Sequence, residues 1–227
     1  MPVHELFPVR IYSETVGFEP ADHAAVIALI QRMQRSVHWQ SGEAKPFSSA
    51  TGDHISGDSA SQFHRLPQLS WLSTTVMRSA HHYLEALGAA TDAYCIHIQK
   101  AWPVIVGSGH GLNRHRHRNA HISAVYYLGA MDADAGALSF QRADSHPEAF
   151  IPIYRRNQQS WNWQPEEGQL LLFPSELEHQ VEPHRGDAYR YSISFDLLIS
   201  THARNRINGS NEMLMTHPAT WNLDTAG

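Results

Sequence analysis

Residues Asn113–Leu128 read NRHRHRNAHISAVYYL, a run that is rich in histidine at its start and apolar at its end. The alternation predicts a β-strand over Arg114–Leu128, in which every second side chain shares a face. The four polar residues of that face are His115, His117, Asn119 and His121. Neighbouring imidazoles on one strand can offer a metal two ligands at once. The stretch therefore predicts a β-rich fold with a candidate metal site, if the chain supplies a third ligand.

The composition is that of an ordinary globular protein. Its 227 residues are 42% hydrophobic and 17% charged, with a formal net charge of −5. A chain of this length suits one domain, and the acidic balance argues against a general nucleic-acid or anionic-membrane binder. The single cysteine, Cys95, fits a reducing compartment, and neither a leader nor a membrane-spanning run is apparent. We therefore expect a cytoplasmic protein.

Two helices are predicted ahead of the histidine-rich stretch. Apolar residues recur at helical spacing over Pro20–Val37 and again over Pro67–Leu87, which Gly88 ends. The segment between them, His38–Arg65, is rich in Ser, Gly and Asp and is expected to be a long loop. Val, Ile and Tyr around a proline in Met1–Gly17 indicate a short edge strand before the first helix.

After Asp92 the pattern becomes that of short strands separated by turn residues. The predicted strands are Ala93–Gln99, Pro103–Val106, Arg114–Leu128, Gly136–Gln141, Phe150–Tyr154, Gly168–Phe173, Gln180–Pro183 and Tyr189–Ile199. Helices first and strands afterwards favour a mainly β (α+β) fold, an antiparallel barrel or jelly roll with N-terminal helices packed on one sheet. We divide the single domain 1–227 into a strand and supporting helices (1–92), a jelly-roll core (93–199) and a tail or lid (200–227).

A second informative stretch, residues 168–199, reads GQLLLFPSELEHQVEPHRGDAYRYSISFDLLI. Its apolar start predicts a buried strand, and the following turn leads to His179. Because opposed strands of a jelly roll bring distant positions together, His179 is the natural third ligand beside His115 and His117. Three protein ligands leave coordination positions open.

The end of this stretch alternates in a way that a plain core strand would avoid. One face carries Tyr191, Ile193 and Phe195, and the other carries Arg190, Ser192 and Ser194. If the apolar face meets the helices, the polar face looks into the barrel. A buried arginine needs an anion, since an unpaired charge costs several kcal/mol. A carboxylate held by Arg190 and Ser192 is the simplest such anion.

The order HRHRNAHISAVYYL, GALSF and GQLLLFPSELEHQVEPHRGDAYRYSISF resembles the iron(II)- and 2-oxoglutarate-dependent oxygenases. More narrowly, it is similar to a bacterial and phage branch with HxHP…LSGVYYL and FPS…LxHxVxP…RxSxSF motifs. The runs LFPVRIY and AWPVI also resemble that branch, so the likeness covers most of the chain. It implies a double-stranded β-helix, Fe(II) as metal and 2-oxoglutarate as cosubstrate. The implied activity is that of a dioxygenase hydroxylating a small-molecule substrate with release of succinate and CO2.

The resemblance also assigns roles to individual residues. The implied metal ligands are His115, His117 and His179, and the implied cosubstrate-binding residues are Arg190 and Ser192. In the superfamily at large the second ligand is an aspartate or glutamate, where this chain has His117, and Asn119 and His121 are the nearby substitutes. The branch has a proline and a glycine where this chain has Arg118 and Ala124.

Two other functions remain open from the residues alone. A cupin-type metalloprotein also begins its site with HxH, but it expects a glutamate where this chain offers His121, and it gives no reason for Arg190 and Ser192. A non-catalytic binding module would use Arg114, Arg116 and Arg118 to contact phosphate, against the net acidity.

For partners we expect a small molecule and neither nucleic acid nor membrane. Substrate contacts are expected in the loop 38–65 and the tail 200–227. Apolar residues of that tail, Met213–Met215 and Trp221, could form the interface of a homodimer.

Overall fold

A computed structural model describes residues 8–36, 61–90, 94–129, 131–132, 134–142 and 160–202. The strands are β1 (Tyr12–Thr15), β2 (Cys95–Val106), β3 (Leu112–His115), β4 (Ile122–Gly129), β5 (Leu138–Gln141), β6 (Ser160–Trp163), β7 (Gln169–Pro174), β8 (His179–Val181) and β9 (Arg190–Ser200). The helices are α1 (Pro20–Ser36) and α2 (Ser70–Ala86), the latter preceded by short 3-10 helices at Phe63–Arg65 and Pro67–Leu69. Within these ranges, neither helix has the length and hydropathy that crossing a bilayer requires.

Two antiparallel sheets pack against each other. The major sheet has the order β1-β7-β4-β9-β2 and the minor sheet the order β3-β8-β5-β6. Between them lies an apolar layer to which β4 and β7 of the major sheet and β5 and β8 of the minor sheet all contribute. This arrangement confirms the mainly β, jelly-roll-like double-stranded β-helix.

The helices cover the other face of the major sheet, as predicted. Val26 and Ile30 of α1 and Leu72 and Val76 of α2 share one core with the sheet. The sheet contributes Ala124, Tyr126, Leu128, Leu170, Leu172, Ile193 and Phe195. Because β4 and β7 are buried on both faces, their sequences are nearly continuous apolar runs rather than alternating ones.

The histidine-rich stretch forms two strands, so the single strand predicted over Arg114–Leu128 is wrong. β3 pairs with β8 in the minor sheet, whereas β4 pairs with β7 and β9 in the major sheet. The chain crosses between the sheets at residues 116–121. There the His117 N–H donates to the Ser175 carbonyl, and the His121 N–H to the Leu197 carbonyl, each at 2.9 Å. A chain that changes sheets cannot keep one alternation, so the predicted common face of four polar residues does not form.

Other strand boundaries also differ from the predictions. β2 is one strand where the sequence predicts two, and it tolerates Pro103 because it lies at the edge of the major sheet. The sequence does not predict β6, since its alternating run SWNW is only four residues long, and the strand is largely exposed. The predicted strand Phe150–Tyr154 lies outside the described residues, as do residues 37–60 and 203–227.

A buried histidine, His23, fastens α1 to the major sheet. Its Nδ1–H donates to Glu167 Oε1 at 2.9 Å, and its Nε2 accepts the Tyr126 hydroxyl at 2.7 Å. The ring of Phe18 stacks on the imidazole with 3.7 Å between centroids. Because His23 is only 3% exposed, these partners satisfy polar atoms that water cannot reach.

We predict that His23→Ala lowers the free energy of unfolding by about 3 kcal/mol, because it leaves a cavity and a buried Tyr126 hydroxyl without its partner. Urea denaturation followed by circular dichroism would measure the loss. The matched control is Glu167→Gln, which keeps an acceptor oxygen at a half-exposed position and should change stability by less than about 1 kcal/mol. Equal losses in the two variants would contradict the assignment.

Candidate metal centre and the pocket behind it

Three imidazoles meet where the chain leaves the minor sheet. His115 of β3 and His179 of β8 are directly opposed in the strand register, and their ring centroids are 4.4 Å apart. His117 follows in the crossover, with its ring centroid 5.3 Å from each of the other two. One ring nitrogen from each of the three residues lies within 4.8 Å of the others. We call this cluster the histidine triad.

Each ring of the triad is oriented by an acceptor at its Nδ1. The acceptors are the Asn113 carbonyl for His115 (2.6 Å), the Leu177 carbonyl for His179 (2.8 Å) and Asp196 Oδ1 for His117 (2.5 Å). Carbonyl and carboxylate oxygens only accept, so Nδ1 of each ring carries a proton, and Nε2 is the nitrogen through which each ring could bind a metal. Such contacts fix tautomer and ring direction in protein metal sites.

Burial keeps two rings of the triad uncharged. It lowers the pKa of His179 to about 3, and it lowers the pKa of His115 below its ordinary value. A neutral imidazole is the form that binds a metal, so these two residues need not lose a proton first.

A pocket extends from the triad between the two sheets, with a volume of about 490 Å³ including its open mouth. Its polar wall contains Tyr127, Arg190, Ser192 and Ser194. Its apolar wall contains Leu112, Val125, Leu138, Phe173 and Val181. Neither aspartate nor glutamate lines it, as far as the described residues show.

Arg190 is the unusual member of this wall, since it is only 1% exposed. Its Nε lacks a hydrogen-bond partner within the described part of the chain, and so does the buried Tyr127 hydroxyl. Its Cζ lies 5.2 Å from the centre of the Tyr127 ring. Burial lowers the pKa of Arg190 and raises that of Tyr127 to about 12. A cation in this position favours the entry of an anion.

The alternation predicted for the strand Tyr189–Ile199 is confirmed along β9. Tyr191, Ile193 and Phe195 join the core beneath the helices, while Arg190, Ser192 and Ser194 line the pocket. The sequence reasoning stopped one step early, because the same alternation reaches Asp196, the carboxylate that binds His117.

The remaining candidates lie elsewhere. His121 is not part of the triad, and its Nδ1 instead accepts the Ile199 N–H at 2.8 Å. Arg114 forms an ion pair with Glu178, and Arg116 Nη1 lies 3.2 Å from Glu176 Oε2. Two of the three arginines proposed as a phosphate-binding patch are therefore already paired with carboxylates.

We predict that His115→Ala or His179→Ala weakens Fe(II) binding at least about 100-fold, because each removes one nitrogen of the triad. Anaerobic calorimetric titration would measure the dissociation constant. His121→Ala is the matched control and should stay within about 3-fold of wild type, since its ring accepts a backbone bond outside the triad. Full affinity in either triad variant would show that the metal binds elsewhere.

The metal-free protein should lose stability in acid through His179. In the unfolded chain the His179 imidazole becomes protonated below its ordinary pKa of about 6.5, whereas in the folded chain its pKa is about 3. The unfolding free energy should therefore fall as pH drops through that window, by up to about 1.4 kcal/mol per pH unit from this residue. Urea denaturation at successive pH values should show a shallower dependence in His179→Asn. Identical slopes would contradict the shift.

Residues 100–196 match the model of a family described as "Putative 2OG-Fe(II) oxygenase". The matched span contains His115, His117, His179 and Arg190 and ends at Asp196. A search of curated proteins finds no match to the chain. The histidine triad and Arg190 thus lie in the part of the chain that is similar in sequence to this family.

Solved structures share the fold at low sequence identity. AviO1 from Streptomyces viridochromogenes Tue57 is 12% identical, with a TM-score of 0.57 over 83% of this chain and 89% of that one. The non-heme alpha ketoglutarate dependent epimerase SnoN from nogalamycin biosynthesis is 12% identical, with a TM-score of 0.55 over 85% and 81%. A Pseudomonas putida prolyl-4-hydroxylase is 15% identical, with a TM-score of 0.51 over 83% and 86%. These likenesses show the double-stranded β-helix.

Proposed function

We propose that the protein is a non-haem iron(II)- and 2-oxoglutarate-dependent dioxygenase that hydroxylates a small-molecule substrate. The observation that carries this proposal is one pocket containing both the histidine triad and a buried arginine whose Nε has no partner among the described residues. A metal-only site would explain the triad, and an anion-only site would explain the arginine. A cosubstrate that is both a metal chelator and a dicarboxylate explains them together.

The donor set of the triad fits iron(II). In this proposal His115, His117 and His179 bind the metal through Nε2, because their Nδ1 atoms are already used. Imidazole nitrogens suit iron among the first-row metals, and three protein ligands leave positions for other ligands. When bound, iron(II) and 2-oxoglutarate supply oxygen activation coupled to decarboxylation, which releases succinate and CO2.

The polar wall of the pocket fits the far carboxylate of the cosubstrate. Arg190 offers a guanidinium fork that matches a carboxylate bidentately. Ser192 is the next residue on the same face of β9 and pairs in register with Tyr127 of β4. The hydroxyls of Ser192 and Tyr127 and the guanidinium of Arg190 therefore line the same part of the pocket, where together they would hold one carboxylate.

The apolar wall would keep water away from the bound cosubstrate. Leu138 and Val181 of the minor sheet face Val125 and Phe173 of the major sheet across the pocket layer. Excluding water strengthens the interaction of Arg190 with an anion and limits side reactions. The substrate contacts expected in 38–65 and 200–227 fall mostly outside the described residues. The cytoplasmic location and the homodimer stay predictions.

The proposal is tested by anaerobic titration of the full chain with Fe(II) and then 2-oxoglutarate, following the weak visible band of the ternary complex. We predict that Arg190→Met, which keeps most of the side-chain volume, weakens 2-oxoglutarate binding at least about 100-fold by removing a charge-assisted pair. Fe(II) affinity should change less than about 3-fold, since Arg190 is not in the triad. Arg118→Met, an exposed arginine, is the control.

Each alternative function has its own outcome in these experiments. Iron binding without any 2-oxoglutarate band would favour the cupin-type metalloprotein. Salt-dependent nucleic-acid binding that is lost on replacing Arg114, Arg116 and Arg118 would favour the non-catalytic module. Succinate formed from 2-oxoglutarate by the wild type and not by Arg190→Met would support the dioxygenase.

A further inference from the structure

We propose that Asp196 gives the metal centre, through His117, the negative charge that its neutral ligand set lacks. Asp196 is then a positioning residue that acts through the imidazole and does not itself bind the metal. The inference deepens the proposed function and rests on it to the extent that the triad binds a metal.

The contact between Asp196 and His117 differs in kind from the other two contacts of the triad. His115 and His179 donate to neutral backbone carbonyls, whereas His117 donates to a carboxylate at 2.5 Å. The side chains are only 11% and 17% exposed, so solvent screens the pair weakly. A charge-assisted hydrogen bond in such surroundings is stronger than a neutral one.

The contact between Asp196 and His117 would offset the positive charge of the pocket. A divalent metal on three neutral imidazoles would stand in a pocket whose wall already holds the Arg190 cation. Among the described residues that line this pocket there is no carboxylate to offset the positive charge of the metal and of Arg190. Asp196 is in direct contact with the triad through His117. A carboxylate that accepts the Nδ1–H of an imidazole makes Nε2 of the same ring more basic and so a stronger ligand for a metal.

The surrounding strands hold Asp196 in place. It lies in β9, between Ser123 of β4 and Lys100 of β2 in the register of the major sheet. Ser123 Oγ also lies 3.3 Å from His117 Nδ1 and donates to Ser175 Oγ at 3.0 Å. The backbone N–H of His117 donates to the Ser175 carbonyl. The crossover that carries His117 thus contacts β4, β9 and Ser175, the residue that follows β7, around this one carboxylate.

Direct ligation by Asp196 is the competing interpretation. The group of mutually close ligand atoms contains the three histidines and does not include Asp196. Its Oδ1 is occupied by the Nδ1–H of His117. The geometry therefore places the carboxylate one imidazole away from the metal position.

The test compares wild type with Asp196→Asn, which keeps an acceptor oxygen of similar size and removes the charge. The full chain is loaded with Fe(II) anaerobically, and three quantities are measured. We expect a 10- to 100-fold weaker Fe(II) affinity, about the size found for such outer contacts. We also expect a higher Fe(III)/Fe(II) midpoint potential, because the oxidised metal loses a stabilising anion. With 2-oxoglutarate, the visible band should move to shorter wavelength.

Glu176→Gln is the matched control. It removes the same charge from a carboxylate that pairs with Arg116, the residue beside His117, and it does not touch the triad. Its affinity, potential and band should equal those of the wild type. Equal shifts in both variants would show a general charge effect and overturn the proposal.

Other outcomes also decide the matter. An Asp196→Asn protein with wild-type affinity, potential and band would show that the charge is unused. Loss of all metal binding in Asp196→Asn, together with its retention in His117→Ala, would make Asp196 the ligand and overturn the proposal. If wild type binds Fe(II) but gives no band with 2-oxoglutarate, the dioxygenase proposal fails, and affinity and potential still test Asp196.

A measurement on the wild type covers the case in which Asp196→Asn does not fold. In zinc-loaded protein, the proton on His117 Nδ1 should resonate furthest downfield of the three ligand Nδ1–H protons, since it alone is shared with a carboxylate. A His117 proton that resonates with or upfield of the other two would overturn the proposal.

Discussion

The pairing of β3 with β8 is the constraint on which the site depends. It opposes His115 to His179, and a slip of one residue would turn one of the two rings to the other face of the sheet. Close backbone contacts oppose such a slip. A Cβ at Gly111 would lie 2.4 Å from the Val181 carbonyl oxygen, and one at Gly136 would lie 1.9 Å from the Glu182 carbonyl oxygen. Only glycine therefore fits at these two positions, and a slip that brought a residue with a side chain into either of them would cause a clash with the backbone.

Much of the fold and of the candidate site could be predicted because the relevant patterns are local. The period of the two helices and the two-residue alternation of β9 each follow from what one element buries. The break inside the histidine-rich run could not be predicted in this way. Which sheet a strand joins depends on distant partners such as Leu197 and Ser175, and the alternation of RHRHR continues past the true end of β3. His115 and His117 still meet because the crossover returns the second ring to the first.

Position 117 has a histidine and not a carboxylate, but a carboxylate from the neighbouring strand β9 contacts this histidine. The proposed ligand set has a histidine at position 117, where the oxygenases that the chain resembles have a carboxylate, and no residue close to it in sequence supplies one to the triad. In the structure, Asp196 of β9 supplies a carboxylate whose Oδ1 lies 2.5 Å from the Nδ1 of His117. The alternation of β9 could place Asp196 on the same face as Arg190, but not beside His117, because the crossover meets β9 only in three dimensions. Asn119 and His121, the substitutes nearest in sequence, take no part in the triad.

The buried guanidinium of Arg190 also bears on the stability of the folded protein. Among the described residues, the buried Nε of Arg190 and the buried Tyr127 hydroxyl have no hydrogen-bond partner, and an anion bound beside them would satisfy both. A ligand that binds only the native state stabilises it by RT ln(1 + L/Kd), where L is the concentration of free ligand, so the stabilisation grows with that concentration. Under the proposed function, the resistance of this protein to unfolding and to proteolysis would therefore rise with the concentration of 2-oxoglutarate. Its turnover in the cell would be tied to metabolism even when no substrate is being oxidised.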